Sequence, residues 1–279
     1  MIKKGDRIGL IALAGCCEKS AIDKAVMNIM NLGYEVELSS NIYDCDRYLA
    51  GSDDKKIEEL HKFFLDPEIK LILNARGGYG SIRLINRIDY DIIKSNPKPF
   101  CGFSDITALL LMFYKKCSVI TYHSPMACSD FLDLNEFTIS SFFKALNGEN
   151  NEIRGDRIYY QGNSEGILWG GNLSTVVSLS GIDFIPDEDF LFFVEDLNEP
   201  VYKIDRMFTQ LFNIEKFRNY CKGIVLGEFC QVENYDWLEN VFQSFLIPTI
   251  GGFKITHSKE KITLPIGKKA CIENGILKW

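Results

Sequence analysis

Short apolar runs alternate with amphipathic segments through the first half of the chain, and this alternation most constrains what it can fold into. Arg7 to Ala14 is an apolar run that ends at Gly15, the pattern of a buried strand. Lys19 to Leu32 carries apolar residues at 22, 25, 26, 29 and 30, one face of a helix, and Gly33 stands where a C-cap glycine belongs. Tyr34 to Leu38 is strand-like, and Asp53 to Leu65 places Ile57, Leu60, Phe63 and Phe64 at helical spacing. The strand Leu71-Ile72-Leu73 runs into the glycine loop Gly77-Gly78-Tyr79-Gly80. A strand at Phe100 to Phe103, a helix from Asp105 to Tyr114 and a strand from Val119 to Tyr122 extend the series. Repeated βα units of this kind predict an α/β fold whose N-terminal domain, residues 1–150, is a Rossmann-like or flavodoxin-like parallel sheet covered by helices.

From Gly148 to Gly166 the chain turns polar, with little periodicity apart from Ile158-Tyr159-Tyr160. Residues 151–165 therefore read as a linker with room for a short strand. Beyond it, residues 166–279 read as a smaller, mixed α/β C-terminal domain. Its strands are expected at Leu191 to Val194, Gly223 to Gly227 and Pro248 to Ile250, and its helices at Ile204 to Phe212 and Asp236 to Phe245. A length of 279 residues suffices for two such domains.

Charge and cysteine usage exclude several classes of function. The 31 Lys and Arg are scattered against 38 Asp and Glu, a net charge of −7, so no phosphate-tracking surface and no nucleic-acid partner is expected. The apolar run Ile8 to Ala14 is too short for a signal peptide, and Ile106 to Tyr114 is stopped by Lys115-Lys116 well short of the ~20 residues of a spanning helix. No membrane partner is expected. The nine cysteines are odd in number and form no Cys-x-x-Cys pair, which argues against a disulfide framework and a thiolate metal site and favours a reducing cytoplasm.

The candidates for chemistry are few. A base working near neutral pH is usually histidine, and the chain has three: His61, His123 and His257. His61 lies in a charged amphipathic helix and reads as a surface residue, whereas His123, ahead of Ser124-Pro125, suits a site or a cap. His257 follows a strand in a loop, where catalytic groups concentrate. Ser104 is delivered by a strand to the start of a helix, where backbone N–H groups can hold an oxyanion; a plain helix cap is the competing reading. The motif lacks the second glycine of Gly-x-Ser-x-Gly, which is Ile106 here. The loop Arg76 to Ser81 is no P-loop but offers N–H groups to an anion. Glu195 and Asp196 end an apolar strand, where acids must be paired or exposed, and Glu195 suits the third role of a triad.

In chain order, Ala75-Arg76-Gly77-Gly78-Tyr79-Gly80, Gly102-Phe103-Ser104-Asp105-Ile106-Thr107, Trp169-Gly170-Gly171-Asn172-Leu173, Phe193-Val194-Glu195-Asp196 with Tyr202-Lys203-Ile204-Asp205-Arg206, and Gly223 to Gly227 together resemble the LD-carboxypeptidase family, the muramoyltetrapeptide carboxypeptidases. The resemblance spans nearly the whole chain. It implies a Ser–His–Glu triad of Ser104, His257 and Glu195 divided between the two domains, with Gly78 and Asp105 as oxyanion donors and Arg76 (or Arg83) for the substrate carboxylate. It also implies a muropeptide substrate, with a terminal D-amino acid released in cell-wall recycling, no cofactor, no metal, and a possible homodimer. Two alternatives remain: a self-immunity peptidase that cleaves peptidyl- or aminoacyl-nucleotides, and an inactive binding protein on the same scaffold.

Overall fold

The computed structural model describes residues 2–279, and the chain divides into two compact units. The first runs up to Gly148 and adds Thr263–Pro265; the second comprises Glu149–Ile262 and Ile266–Trp279.

The first unit is built on strands β1 (Arg7–Ile11), β2 (Glu35–Leu38), β3 (Ile69–Asn74), β4 (Phe100–Gly102) and β5 (Thr121–His123). They pair in parallel in the order β2-β1-β3-β4-β5. A sixth strand, Leu264–Ile266, lies beside β5 and is β12 in chain order. Local chemistry sets the helices between them. The hydroxyl of Ser52 accepts from the Lys55 N–H at the start of the helix Asp53–Leu65, while Asp53 and Asp54 favour its N-terminal dipole. The helix Thr107–Cys117 is buried along nearly its whole apolar length and ends at Ser118 in the left-handed conformation, after Lys115 and Lys116. Strand order reverses between β1 and β3, and clefts in parallel sheets open outside the carboxyl ends of strands at such a point.

The second unit is larger in sheet though shorter in chain. Its strands are β6 (Glu152–Arg154), β7 (Arg157–Tyr160), β8 (Ser164–Asn172), β9 (Phe190–Leu197), β10 (Cys221–Cys230), β11 (Thr249–Gly251), β13 (Lys269–Glu273) and β14 (Ile276–Lys278). The order is β6-β14-β13-β8-β9-β10-β11-β7. The central four are parallel, and antiparallel strands close both sides. Trp169 is fully buried at the heart of this unit, packed on Phe190 at 4.9 Å and on Phe184 at 5.7 Å.

Three features differ from expectation. Residues 151–165 hold β6 and β7, which pair into the second sheet through Ile153 and Ile158, so little of this segment is a free connection. Thr263–Pro265 returns to the first unit. Cys16 and Cys45 are bridged, with Cα atoms 5.2 Å apart, because the turn that pairs Gly15 with Leu49 brings them together; the seven others are free thiols. No helix among the described residues is long and apolar enough to cross a membrane.

Candidate active site

In the first unit, the loops after β1, β3 and β4 converge. The Gly15 N–H donates to the Gly77 carbonyl at 3.0 Å, which ties the loop after β1 to the glycine loop after β3. Ser104 follows β4 after the single residue Phe103, and its φ is +59°, a left-handed conformation that is uncommon for a residue with a Cβ. Such a backbone costs on the order of 1–3 kcal/mol and persists where the surroundings enforce it, most often at functional turns. The competing reading of Ser104 as a helix cap does not hold: Phe103 takes that position before the 3-10 turn Ser104–Ile106, and no side chain caps the helix that follows. Gly77 is needed here for close approach, since a Cβ on it would lie 2.9 Å from Ser104 Cβ and 3.1 Å from its Oγ. Gly78 follows with φ +104°.

Asp105 links this turn to the glycine loop. Its carboxylate accepts the Ser81 N–H at 2.9 Å, and its carbonyl accepts the Ser81 hydroxyl at 2.5 Å. Burial holds the Asp105 carboxyl above the usual carboxylate range, partly opposed by hydrogen bonds from Ser81 and Gly80 and by the Lys56 charge. Lys56 is wholly buried beneath this loop, 3.9 Å from Asp53, and its ammonium makes no hydrogen bond. Burial lowers its pKa. Arg76 donates to the Cys16 carbonyl at 2.9 Å, whereas Arg83 is engaged by Asp53 at 2.7 Å and is the less available of the two for a ligand.

In the second unit, the carboxyl ends of the parallel strands β8 to β11 carry the polar groups. Glu195, fully buried near the end of β9, places Oε2 2.6 Å from His257 Nδ1. Beside it, Asp196 accepts the Asn172 amide at 2.9 Å, the Ser174 N–H at 2.9 Å and the Leu197 N–H at 2.8 Å. Burial raises the Asp196 pKa, these N–H donors oppose the rise, and the neighbouring Glu195 charge adds to it. The strand-end acids are thus both buried and paired, as the cost of an isolated buried charge requires. His257 lies in the loop after β11 and lines a cavity of about 790 Å³ together with Arg157, Tyr159, Glu228, Phe229 and Tyr235. Glu195 and His257 come together in the second unit, Asp105 lies within the Ser104 turn, and the glycine packed against Ser104 is Gly77, with Gly78 turned toward Gly15.

The other two histidines have different roles. His61 is half-buried at the surface, accepts the Asp89 N–H at 3.0 Å and has its pKa lowered by burial. His123 is buried at the end of β5, edge-on to Phe103 at 5.9 Å. Three contributions were not read from the sequence: the Asn172–Asp196 pair, the Ser81–Asp105 link, and Glu228 beside His257. Only Asn172 and Asp196, polar residues at the ends of apolar strands, leave a signal in the sequence; Ser81 and Glu228 leave none. No group of three or more His, Cys, Asp or Glu side chains among the described residues is arranged to hold a metal.

Comparison with known proteins agrees with this architecture. Residues 8–124 match the model of the LD-carboxypeptidase N-terminal domain and residues 165–272 that of the C-terminal domain. The chain is similar to the probable murein peptide carboxypeptidase of Bacillus subtilis strain 168, with 35% identity across 98% of this chain and 91% of that protein. Among solved structures it resembles an MccF-like protein from Bacillus anthracis str. Ames, with TM-score 0.90 and 28% identity over 99% of this chain and 97% of that one. It also resembles the muramoyltetrapeptide carboxypeptidase of Oxalobacter formigenes, with TM-score 0.87 and 28% identity over 98% and 97%.

Proposed function

The chain belongs to the LD-carboxypeptidase family, and on that premise we propose that it is a serine carboxypeptidase that releases the terminal D-amino acid from a murein tetrapeptide. The observation that carries the reading is the 2.6 Å contact between His257 Nδ1 and the fully buried Glu195 carboxylate. A carboxylate in that place fixes the proton on Nδ1 and leaves Nε2 as the basic nitrogen.

In this reading Ser104 Oγ attacks the scissile carbonyl carbon as its proton passes to His257 Nε2. The C–N bond then breaks, the imidazolium gives that proton to the departing amine, and an acyl-enzyme remains. Water, deprotonated by the same imidazole, hydrolyses the ester and returns the proton to Ser104. Base assistance of this kind contributes about 10²–10⁴-fold. The N–H groups of Gly78 and Asp105 are the proposed oxyanion donors, each worth roughly 3–4 kcal/mol in the transition state. The left-handed turn at Ser104 supports this, because it holds the hydroxyl away from helix capping. Arg76 is the proposed partner of the substrate carboxylate. A cytoplasmic setting belongs to the same reading, and seven free thiols beside a single bridge fit a reducing compartment better than a secreted disulfide framework.

The test is incubation of the protein and its Ser104→Ala variant with muropeptide tetrapeptide, followed by assay of free D-alanine. Release by the wild type and none by the variant is the expected result. The likeness to the MccF-like protein favours one competitor, cleavage of an aminoacyl-nucleotide. Turnover of an aminoacyl-sulfamoyl adenylate with no release of D-alanine would replace the carboxypeptidase reading with that one.

A further inference from the structure

His257 sits in a loop outside the strand ladder, yet its ring must keep one geometry against Glu195 for the reading above to hold. The hydrogen bond from the ring fixes only the tip of the side chain. Something must also hold its backbone, and the neighbouring strand does so. Glu228, near the end of β10, accepts the Thr256 hydroxyl at 2.6 Å and the Ser258 hydroxyl at 2.9 Å, both on Oε2. Its backbone N–H donates to the Ile255 carbonyl at 2.9 Å. Thr256 Oγ1, buried and already donating to Glu228, accepts the Ser258 N–H at 2.8 Å. The residues on both sides of His257 are therefore clipped to one carboxylate, and the residue before them to the same amino acid's backbone.

The strand is shaped for this contact. Pairing of β10 with β9 shifts register between Leu226 and Phe229, the interval that contains Glu228. The same β9 carries Glu195. Two adjacent strands thus hold one histidine, β9 by its ring and β10 by its main-chain turn.

We propose that Glu228 is a positioning residue for the base: it fastens the turn Thr256-His257-Ser258 to β10 so that the imidazole keeps its place against Glu195. The inference rests on the proposed role of His257. Glu228 also faces the cavity that His257 lines, so the competing role is a carboxylate that binds a cationic group of the substrate. The two roles separate cleanly. Both hydroxyl bonds fall on one oxygen, and a glutamine keeps a carbonyl oxygen that can accept both, so Glu228→Gln preserves the clip while removing the charge.

The experiment compares Glu228→Ala, Glu228→Gln and Thr256→Val by steady-state release of D-alanine and by the NMR signal of the His257 Nδ1 proton. Positioning predicts that Glu228→Ala and Thr256→Val lower kcat by about 10- to 100-fold with KM within about twofold, as misplacement of a catalytic group by around 1 Å does. It predicts that Glu228→Gln restores most of kcat. The Nδ1 proton signal should broaden through solvent exchange in the alanine and valine variants and stay sharp in the glutamine variant. A glutamine variant as impaired as alanine, with the loss in KM, would overturn the proposal in favour of substrate binding. So would an unchanged Nδ1 proton signal in Glu228→Ala. The NMR arm needs no turnover, so a wild type that releases no D-alanine would sink the carboxypeptidase reading and leave this one to be decided by the spectra.

Discussion

Gly227→Ala perturbs the candidate base without altering any polar side chain of the site. A Cβ built on Gly227 would lie 2.3 Å from the Ile255 carbonyl oxygen and 2.7 Å from the Ile255 Cβ. Ordinary contact begins at 3.4 Å, so the Ile255 backbone or β10 must retreat by about 1 Å. The β10 side resists, because its residues 224 to 226 pair in parallel with both β9 and β11. The loop side is held to β10 at Glu228, through Ile255, Thr256 and Ser258, and not along a strand ladder, so it is the part that yields. His257 is two residues on from Ile255, so the shift is passed to the imidazole.

Overpacking of this kind typically costs 1–3 kcal/mol of stability, and the melting temperature should drop by a few degrees per kcal/mol for a unit of this size. The catalytic cost is larger in proportion, since a misplacement of about 1 Å is worth on the order of 10²-fold in rate. The assay is D-alanine release from muropeptide tetrapeptide under saturating substrate, alongside a thermal melt. The expected result is a folded variant with kcat reduced about 100-fold. A folded variant with kcat within about threefold of wild type would refute the reasoning, because it would mean that the position of the 255–258 loop does not matter to the chemistry.

Other perturbations reach different parts of the structure. Ser104→Gly should abolish release of D-alanine while leaving the melting temperature unchanged or higher, because glycine accepts φ +59° without the Cβ strain; a lower melting temperature would mean that the turn is unstrained. Lys56→Met replaces a buried ammonium that makes no hydrogen bond, and Asp53 keeps Arg83 and Arg87, so stability should hold or rise; Lys56→Ala should cost about 2–4 kcal/mol from the cavity, and equal losses in the two variants would show that the charge itself is needed. Asp105 has a raised pKa in the folded chain, so its contribution is fully present below the ordinary carboxylate range and fades as pH rises through the raised value. Asp105→Asn should remove that decline from a plot of melting temperature against pH, and an identical slope in both proteins would refute the assignment.

The first half of the chain is the part most legible in the sequence, for a physical reason. A parallel sheet buried on both faces needs continuous apolar strands, and β1 and β3 therefore stand out as runs, as does the buried helix after Ser104. The second unit is harder to read because its outer strands are short, polar on one side and closed by antiparallel partners far away in sequence. β6 pairs with β14 through Ile153 and Leu277, and neither strand shows a pattern that would announce it alone. The register of β13 against β8 likewise joins Ala270 to Gly166, a pairing that only the folded chain specifies.

The site divides along the same line. Glu195 was legible because two acids at the end of an apolar strand demand partners. Ser104 was legible only in part, since its value lies in a backbone angle, and a positive φ at a serine leaves no mark on composition. Glu228 was not legible at all. It follows a glycine at the end of a strand, and everything that gives it a role comes from Thr256 and Ser258, residues some thirty positions away that hydrogen-bond it only after β10 and β11 have paired. Groups that carry a charge into the core are thus visible from the sequence through the cost of burying them. Groups that hold a catalytic residue's backbone incur no such cost, and for them the folded geometry is the first place where a role can be read.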